Sequence, residues 1–325
     1  MDWKKYLRTS GAALLLAAPL VAGAADKYPA QPVKIIVPFP AGGQGIDLVA
    51  RTLAQRMQAS AGEAVIVDNR PGGGTVIGTS AAAKAPADGY TLLMMANSFT
   101  VNPSLQSNLP YDSRKDFTPV SLLTITPHVL VARQDLPANK LSELLELAKK
   151  NPGTVTYASI GNGTSPHLAG EMLKKLTGAD LVHVPHKGTP LALTSLMGGH
   201  VDVLFGNLPD VLPYVNDGKL KALAISAPKR HASLPDVPTM EEQGLAEFES
   251  NSWYGMLAPA NVPDSTIQQL NELVVSILQE KEVRESFDAR GLEVIASTPA
   301  EFGDWLRKEM DKYAQIIKES GARID

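Results

Sequence analysis

The chain is 325 residues long, 44% hydrophobic and 20% charged, with 26 Gly, 24 Pro and no Cys. This composition excludes a disordered or collagen-like chain and supplies apolar mass for two separate cores. A formal net charge of −4 leaves no basic surplus for a phosphate backbone, so no nucleic acid is expected; without cysteine there is no disulfide or thiolate metal site.

The first residues differ from the rest. Lys4, Lys5 and Arg8 precede the small, apolar run from Gly11 to Val21, and Ala22-Gly23-Ala24 has the small-x-small form of a cleavage site. This predicts a secretory signal peptide over 1–24, too short in its apolar run for the roughly 20 residues of a membrane span. The mature chain is expected to begin near Ala25 and to reach the periplasm as a soluble protein.

Strand-like and helix-period runs then alternate. Val33 to Val37 is a β-branched run ended by Pro38, followed by a Gly loop and by Ile46, Val49, Ala50, Leu53 and Met57 at helical spacing. The pattern recurs as Ala64 to Val67 with a helix from Ile77, then as a strand from Tyr90 to Met95. A strand is expected at His128 to Ala132, a helix on Leu141, Leu144, Leu145 and Ala148, and a strand at Val155 to Ala158. Leu168, Met172 and Leu176 mark another helix, and Val201 to Phe205 and Leu220 to Ile225 two further strands. Helices close the chain, one on Ile267 to Leu278 and one on Phe302 to Tyr313, the latter opened by a Thr298-Pro299-Ala300-Glu301 capping box. Such alternation predicts α/β architecture, mostly parallel sheets flanked by helices. Crossings near Thr124 to Pro127 and Ser226 to Arg230 divide the mature chain into a discontinuous first lobe, 25–125 with 227–325, and an inserted second lobe, 126–226.

Three Gly loops join strands to helices. Pro38 to Gly45 offers backbone N–H groups at a helix start, either an anion seat or a tight structural turn. Asp47 reads more readily as a capping carboxylate than as an anion's partner. The loop at Gly72, Gly74 and Gly78 is one residue too long for the dinucleotide fingerprint, and no Gly-Lys-Ser or Gly-Lys-Thr closes a phosphate loop, so no cofactor is expected. Ser159 to His167 is the best anion-site candidate, with Pro166 at a helix start and the hydroxyls of Ser159 and Thr164 beside it. His183 and His186 lack a third ligand, so no metal is expected. Gly163 to His167 lacks the second Gly of a nucleophile elbow.

Four segments form a distinctive ordered set: Val37-Pro38-Phe39-Pro40-Ala41-Gly42-Gly43, Val67-Asp68-Asn69-Arg70-Pro71-Gly72-Gly73-Gly74, Asp88-Gly89-Tyr90-Thr91-Leu92-Leu93 and His183-Val184-Pro185-His186-Lys187-Gly188. With Val201 to Phe205, Leu234 to Thr239 and Trp253 to Pro259, they resemble the Bug-type substrate-binding proteins of tripartite tricarboxylate transporters. The resemblance implies a two-lobed periplasmic binding-protein fold of type II character, closing by a hinge on a small organic carboxylate. It further implies a monomer without catalysis that delivers its load to membrane permease subunits. His186 stands where the family usually has Tyr, and Gly206-Asn207 where Asp-Asn is common.

Read with the loops, the resemblance nominates Phe39, Gly42, Gly43 and Asp47 from the first loop and Ser98 after the third strand. From the second lobe it nominates Ser159, Gly163, Thr164, Ser165, His167, His186 and Asn207. Phe39 is expected to stack on the ligand body, and Trp253 to close its rim or fill the core. The alternative from another class is an exported serine hydrolase acting on esters or amides through Ser165.

Overall fold

The computed structural model describes residues 28–320; the expected signal peptide lies outside the described residues. Strand β1 (Val33–Val37) is flanked in parallel by β2 (Val65–Asn69) and β3 (Thr91–Met95). β1 and β3 are short β-branched or Leu/Met runs buried on both faces, as inner strands of such a layer are, while β2 lies at the edge with Ile66 exposed. One face receives Val49, Ala50, Leu53 and Met57 of α1 (Ile46–Ala61). The other receives α2 (Val76–Ala83), α3 (Ser98–Leu105) and later Phe302 and Leu306.

The next strand is β4, a single 17-residue run from Phe117 to Arg133. The expected crossing at Thr124 to Pro127 is therefore no break, and His128 to Ala132 is no separate strand. Thr118, Thr124, Ile125 and Thr126 favour extended backbone, and irregular register at Pro119/Ser121 and Leu122/Thr124 accommodates the prolines and twist. What changes along β4 is its partners. Phe117 to Pro127 pairs antiparallel with a later strand, residues 251–259, whereas His128 to Ala132 pairs antiparallel with residues 203–207.

Beyond β4 come α4 (Leu141–Lys150), β5 (Val155–Ser159), α5 (Ser165–Thr177), β6 (Leu181–Pro185), α6 (Thr189–Met197), β7 (Val203–Asn207), α7 (Leu208–Asn216) and β8 (Leu220–Ile225). Strand β5 lies parallel between β6 and β7. Tyr157 and Phe205 anchor the core under α4 and α5; Leu204 and Val129 anchor the one under α6 and α7. Between β8 and β9 (Asn251–Pro259) the chain places Leu234, Val237, Met240 and Phe248 in these same two clusters.

β9 then runs between β3 and β4, antiparallel to both. The helices α8 (Asp264–Gln279), α9 (Lys281–Asp288) and α10 (Pro299–Ser320) complete the first half, with the short β10 (Glu293–Val294) pairing β4. The capping box forms as expected: Glu301 accepts from the Thr298 N–H at 2.9 Å, and the Thr298 hydroxyl accepts from the Glu301 N–H at 3.3 Å. Trp253 is fully buried, edge-on to Phe302, and so belongs to the core.

Candidate functional site

The carboxyl ends of β1, β3, β5 and β7 meet the start of β9 around an inner cavity of about 40 Å³. Ligands of open α/β sheets lie off such strand ends because the following helices present their N-termini there. Ile46, Ser98, Ser165, Thr189 and Asp210, each in the first turn of its helix, border this cavity, so five positive helix ends converge on it. A wider outer chamber of about 760 Å³ shares Phe39, Pro40, Ile160, Thr164 and Gly188 with it and adds Gly72 to Thr75, Gln106, His186 and Lys187.

Of the nominated residues, Phe39, Gly43, Ser98, Thr164, Ser165 and Asn207 border the inner cavity. His186 borders the outer chamber, with Nδ1 3.0 Å from the Val184 carbonyl. The other five stand behind these walls. The Gly42 N–H donates to Asp47 at 2.9 Å, and Arg51 and Asn69 donate to the same carboxylate, also at 2.9 Å. Burial works to raise the Asp47 pKa, but those hydrogen bonds outweigh it and hold the group below its ordinary value. Asp47 thus shapes the Gly loop. Ser159 is buried with its Oγ 2.7 Å from His183 Nε2, and the Gly163 N–H donates to His167 Nδ1 at 3.2 Å. His167, His183 and Tyr157 form one stack, with ring centroids 4.2 and 4.8 Å apart.

A chain of polar groups crosses beneath the cavity. Gln44 N–H donates to Asp210 Oδ1 at 2.7 Å, and Asn207 Nδ2 donates to Asp210 Oδ2 at 3.1 Å. Asn207 Oδ1 accepts from Ser252 at 2.7 Å, and Ser252 Oγ lies 2.6 Å from Ser165 Oγ. His128 Nε2 is 3.1 Å from Ser252 and 3.2 Å from Ser165, while its Nδ1 is 2.8 Å from Ser250 Oγ. Proton accounting along this chain is restrictive. Ser252 gives its hydrogen to Asn207, so Ser165 gives its own to Ser252 and His128 Nε2 is the donor. Burial lowers the His128 pKa to about 3, keeping the ring neutral. Two hydroxyls on residues that border the cavity remain uncommitted. Ser98 receives the Thr75 hydroxyl at 3.2 Å, which leaves its own hydrogen to give, and the buried Tyr254 hydroxyl has no hydrogen-bond partner. Thr164 donates to the Gly161 carbonyl at 2.6 Å, so its hydrogen holds the loop.

Residues 49–322 match the family model described as the tripartite tricarboxylate transporter family receptor. The chain belongs to that family. This receptor is 39% identical to BugT of Bordetella pertussis (strain Tohama I), over 98% of its own length and 96% of BugT. It superposes on the periplasmic binding protein BugD with a TM-score of 0.86 at 36% identity, covering 91% of this chain and 99% of that one. For MatC from Rhodopseudomonas palustris, solved with bound malate, the TM-score is 0.84 at 31% identity, covering 89% and 100%. The receptor therefore has the two-lobed α/β fold of the periplasmic binding proteins, with a mixed sheet where mostly parallel ones were expected, because β4 and β9 run antiparallel to their neighbours.

Sequence reasoning did not nominate Asp210, Ser252, Tyr254 or His128. Asp210 had a usable signal: Asn207-Leu208-Pro209-Asp210 repeats the strand, proline and helix-start grammar of the nominated loops. His128, Ser252 and Tyr254 sit inside strands: β9, paired with β3 and β4, brings Ser252 and Tyr254 to the receptor's cavity, and His128, paired with Asn207 of β7, stands behind Ser252.

Proposed function

We propose that this receptor is a monomeric periplasmic solute-binding protein, without catalysis, that captures a small organic carboxylate between its lobes by hinge closure and delivers it to membrane permease subunits. The observation that carries the reading is the cavity wall. Five helix N-termini converge on a space that Ser98 and Tyr254 border and that, among the described residues, no Lys, Arg or His borders. Backbone amides, hydroxyls and water then meet the carboxylate; that the ligand is an organic acid is in line with MatC having been solved with bound malate. In this reading the lobes divide near Pro127 and His128, where β4 changes partners, and the return, expected at Ser226 to Arg230, falls instead near Ser250, because Leu234, Val237, Met240 and Phe248 pack with the second half. Among the described residues no helix is long and apolar enough to cross a membrane.

The hydrolase alternative gains one observation, the 3.2 Å between Ser165 Oγ and His128 Nε2. It is opposed by the direction of the hydrogen bonds, which leaves His128 a donor toward Ser165, and by Ser250 rather than a carboxylate on Nδ1. The test is a melting curve of the mature protein with a panel of organic acids, run beside an assay with ester and amide substrates. A ligand at one hundred times its dissociation constant stabilises the folded state by about 2.7 kcal/mol. Turnover that vanishes in Ser165→Ala would replace the receptor reading with the hydrolase.

A further inference from the structure

Asp210 is an unexpected neighbour for an anion. Its side chain is 3% exposed, borders the inner cavity, and projects from the first turn of α7 across the cleft to the Gly loop before α1. The amide at the α1 start that the sequence marks as a possible anion seat is thus taken by a carboxylate of the chain itself. The positive ends of α1 and α7 are both engaged by Asp210, leaving those of α3, α5 and α6 for a ligand.

We infer that a carboxylate ligand enters the inner cavity together with one proton, which it shares with Asp210. This rests on the carboxylate reading proposed above. Asp210 borders a cavity of only about 40 Å³, so a carboxylate inside it lies close to that side chain. Two carboxylates that close, away from water, do not both stay ionised. The proton comes from solvent onto one Asp210 oxygen, and the new O–H donates to the ligand carboxylate; on release it returns to solvent. Gln44 and Asn207 keep their bonds, since a protonated carboxyl retains acceptor capacity.

The surroundings offer no competing cation. Among the described residues Tyr254 on β9 is the one other titratable side chain on the inner wall, and burial and the Asp210 charge both raise its pKa, so it stays neutral. His128 on β4, reached through Ser252 and Asn207, is held neutral by burial, and Asp47 on α1 is engaged by Arg51. His186 and Lys187 border the outer chamber. Burial also raises the Asp210 pKa before any ligand arrives, against the pull of its three hydrogen-bond donors, Asn207, Gln44 and Gly45.

The experiment is calorimetric titration between pH 6 and 8 with malate, succinate, adipate, citrate and benzoate, in two buffers of different ionisation enthalpy. The expected result is uptake of close to one proton per bound acid, with the dissociation constant rising toward tenfold per pH unit in the alkaline part of the range. Asp210→Asn is expected to bind without that uptake and with a nearly flat pH profile. Binding by the wild-type protein with no buffer-dependent heat overturns the inference, whether or not the variant folds. Proton uptake that persists in Asp210→Asn also overturns it, since the proton then goes to a group other than Asp210. If none of the acids binds, the carboxylate reading itself fails, a result separate from binding without a proton.

Discussion

Replacing His128 changes how the protein responds to acid. The ring is fully buried between Ser250, Ser252 and Ser165, and burial carries its pKa from 6.5 to about 3. A group whose folded pKa is depressed contributes stability that is complete above the unfolded value and is lost as pH falls toward the folded one. Between pH 7 and 4.5 the unfolded chain takes up nearly a full proton at this site while the folded chain takes up almost none. Integrated with 1.36 kcal/mol per unit, this costs the native state roughly 2 to 3 kcal/mol. Urea unfolding at the two pH values, for wild type and His128→Gln, isolates the term, because the other histidines are common to both proteins and their contributions cancel. The wild-type protein is expected to lose that much more stability than the variant. Equal losses would refute the account of a neutral His128.

Other perturbations act on the cavity. Ser98→Ala removes a hydroxyl whose hydrogen is free to meet a carboxylate and should weaken acid binding by about 1 to 3 kcal/mol, read by calorimetry. Thr164→Val should instead loosen the loop held at Gly161, seen as faster amide hydrogen exchange over 160–164. Gly45→Ala drives a methyl group into the buried Tyr254 hydroxyl and should cost about 1 to 3 kcal/mol of stability. Tyr254→Phe, which removes the clashing oxygen, should recover part of that loss. Small-angle scattering should show a smaller radius of gyration when a stabilising acid is added, since contacts from both lobes favour the closed state.

Local chemistry made much of this legible in the sequence. Val33 to Val37, Val155 to Ala158 and the capping box at Thr298 are short-range patterns, and each forms where its residues announce it. The Gly and hydroxyl loops likewise point to strand ends, which is why Phe39, Ser98, Ser165 and Asn207 meet at one cavity. What escaped was long-range. Nothing within Phe117 to Arg133 tells a continuous strand from two shorter ones, because β9 and β7, distant in sequence, provide the pairing. Leu234, Val237, Met240 and Phe248 lie in a segment without helix or strand period, so the core they fill was not readable. Asp47 and Asp210 show the same limit: similar acids near helix starts, one folded back on its own loop and the other reaching across the cleft.

Recognition of a carboxylate by the inner cavity is tested most directly by titrating the protein with an acid that stabilises it and with the primary amide of that acid. Saturable heat is expected for the acid and, for the amide, binding weaker by at least tenfold, since the ends of α3, α5 and α6 that Asp210 leaves free favour negative charge. Equal affinity for acid and amide would contradict it.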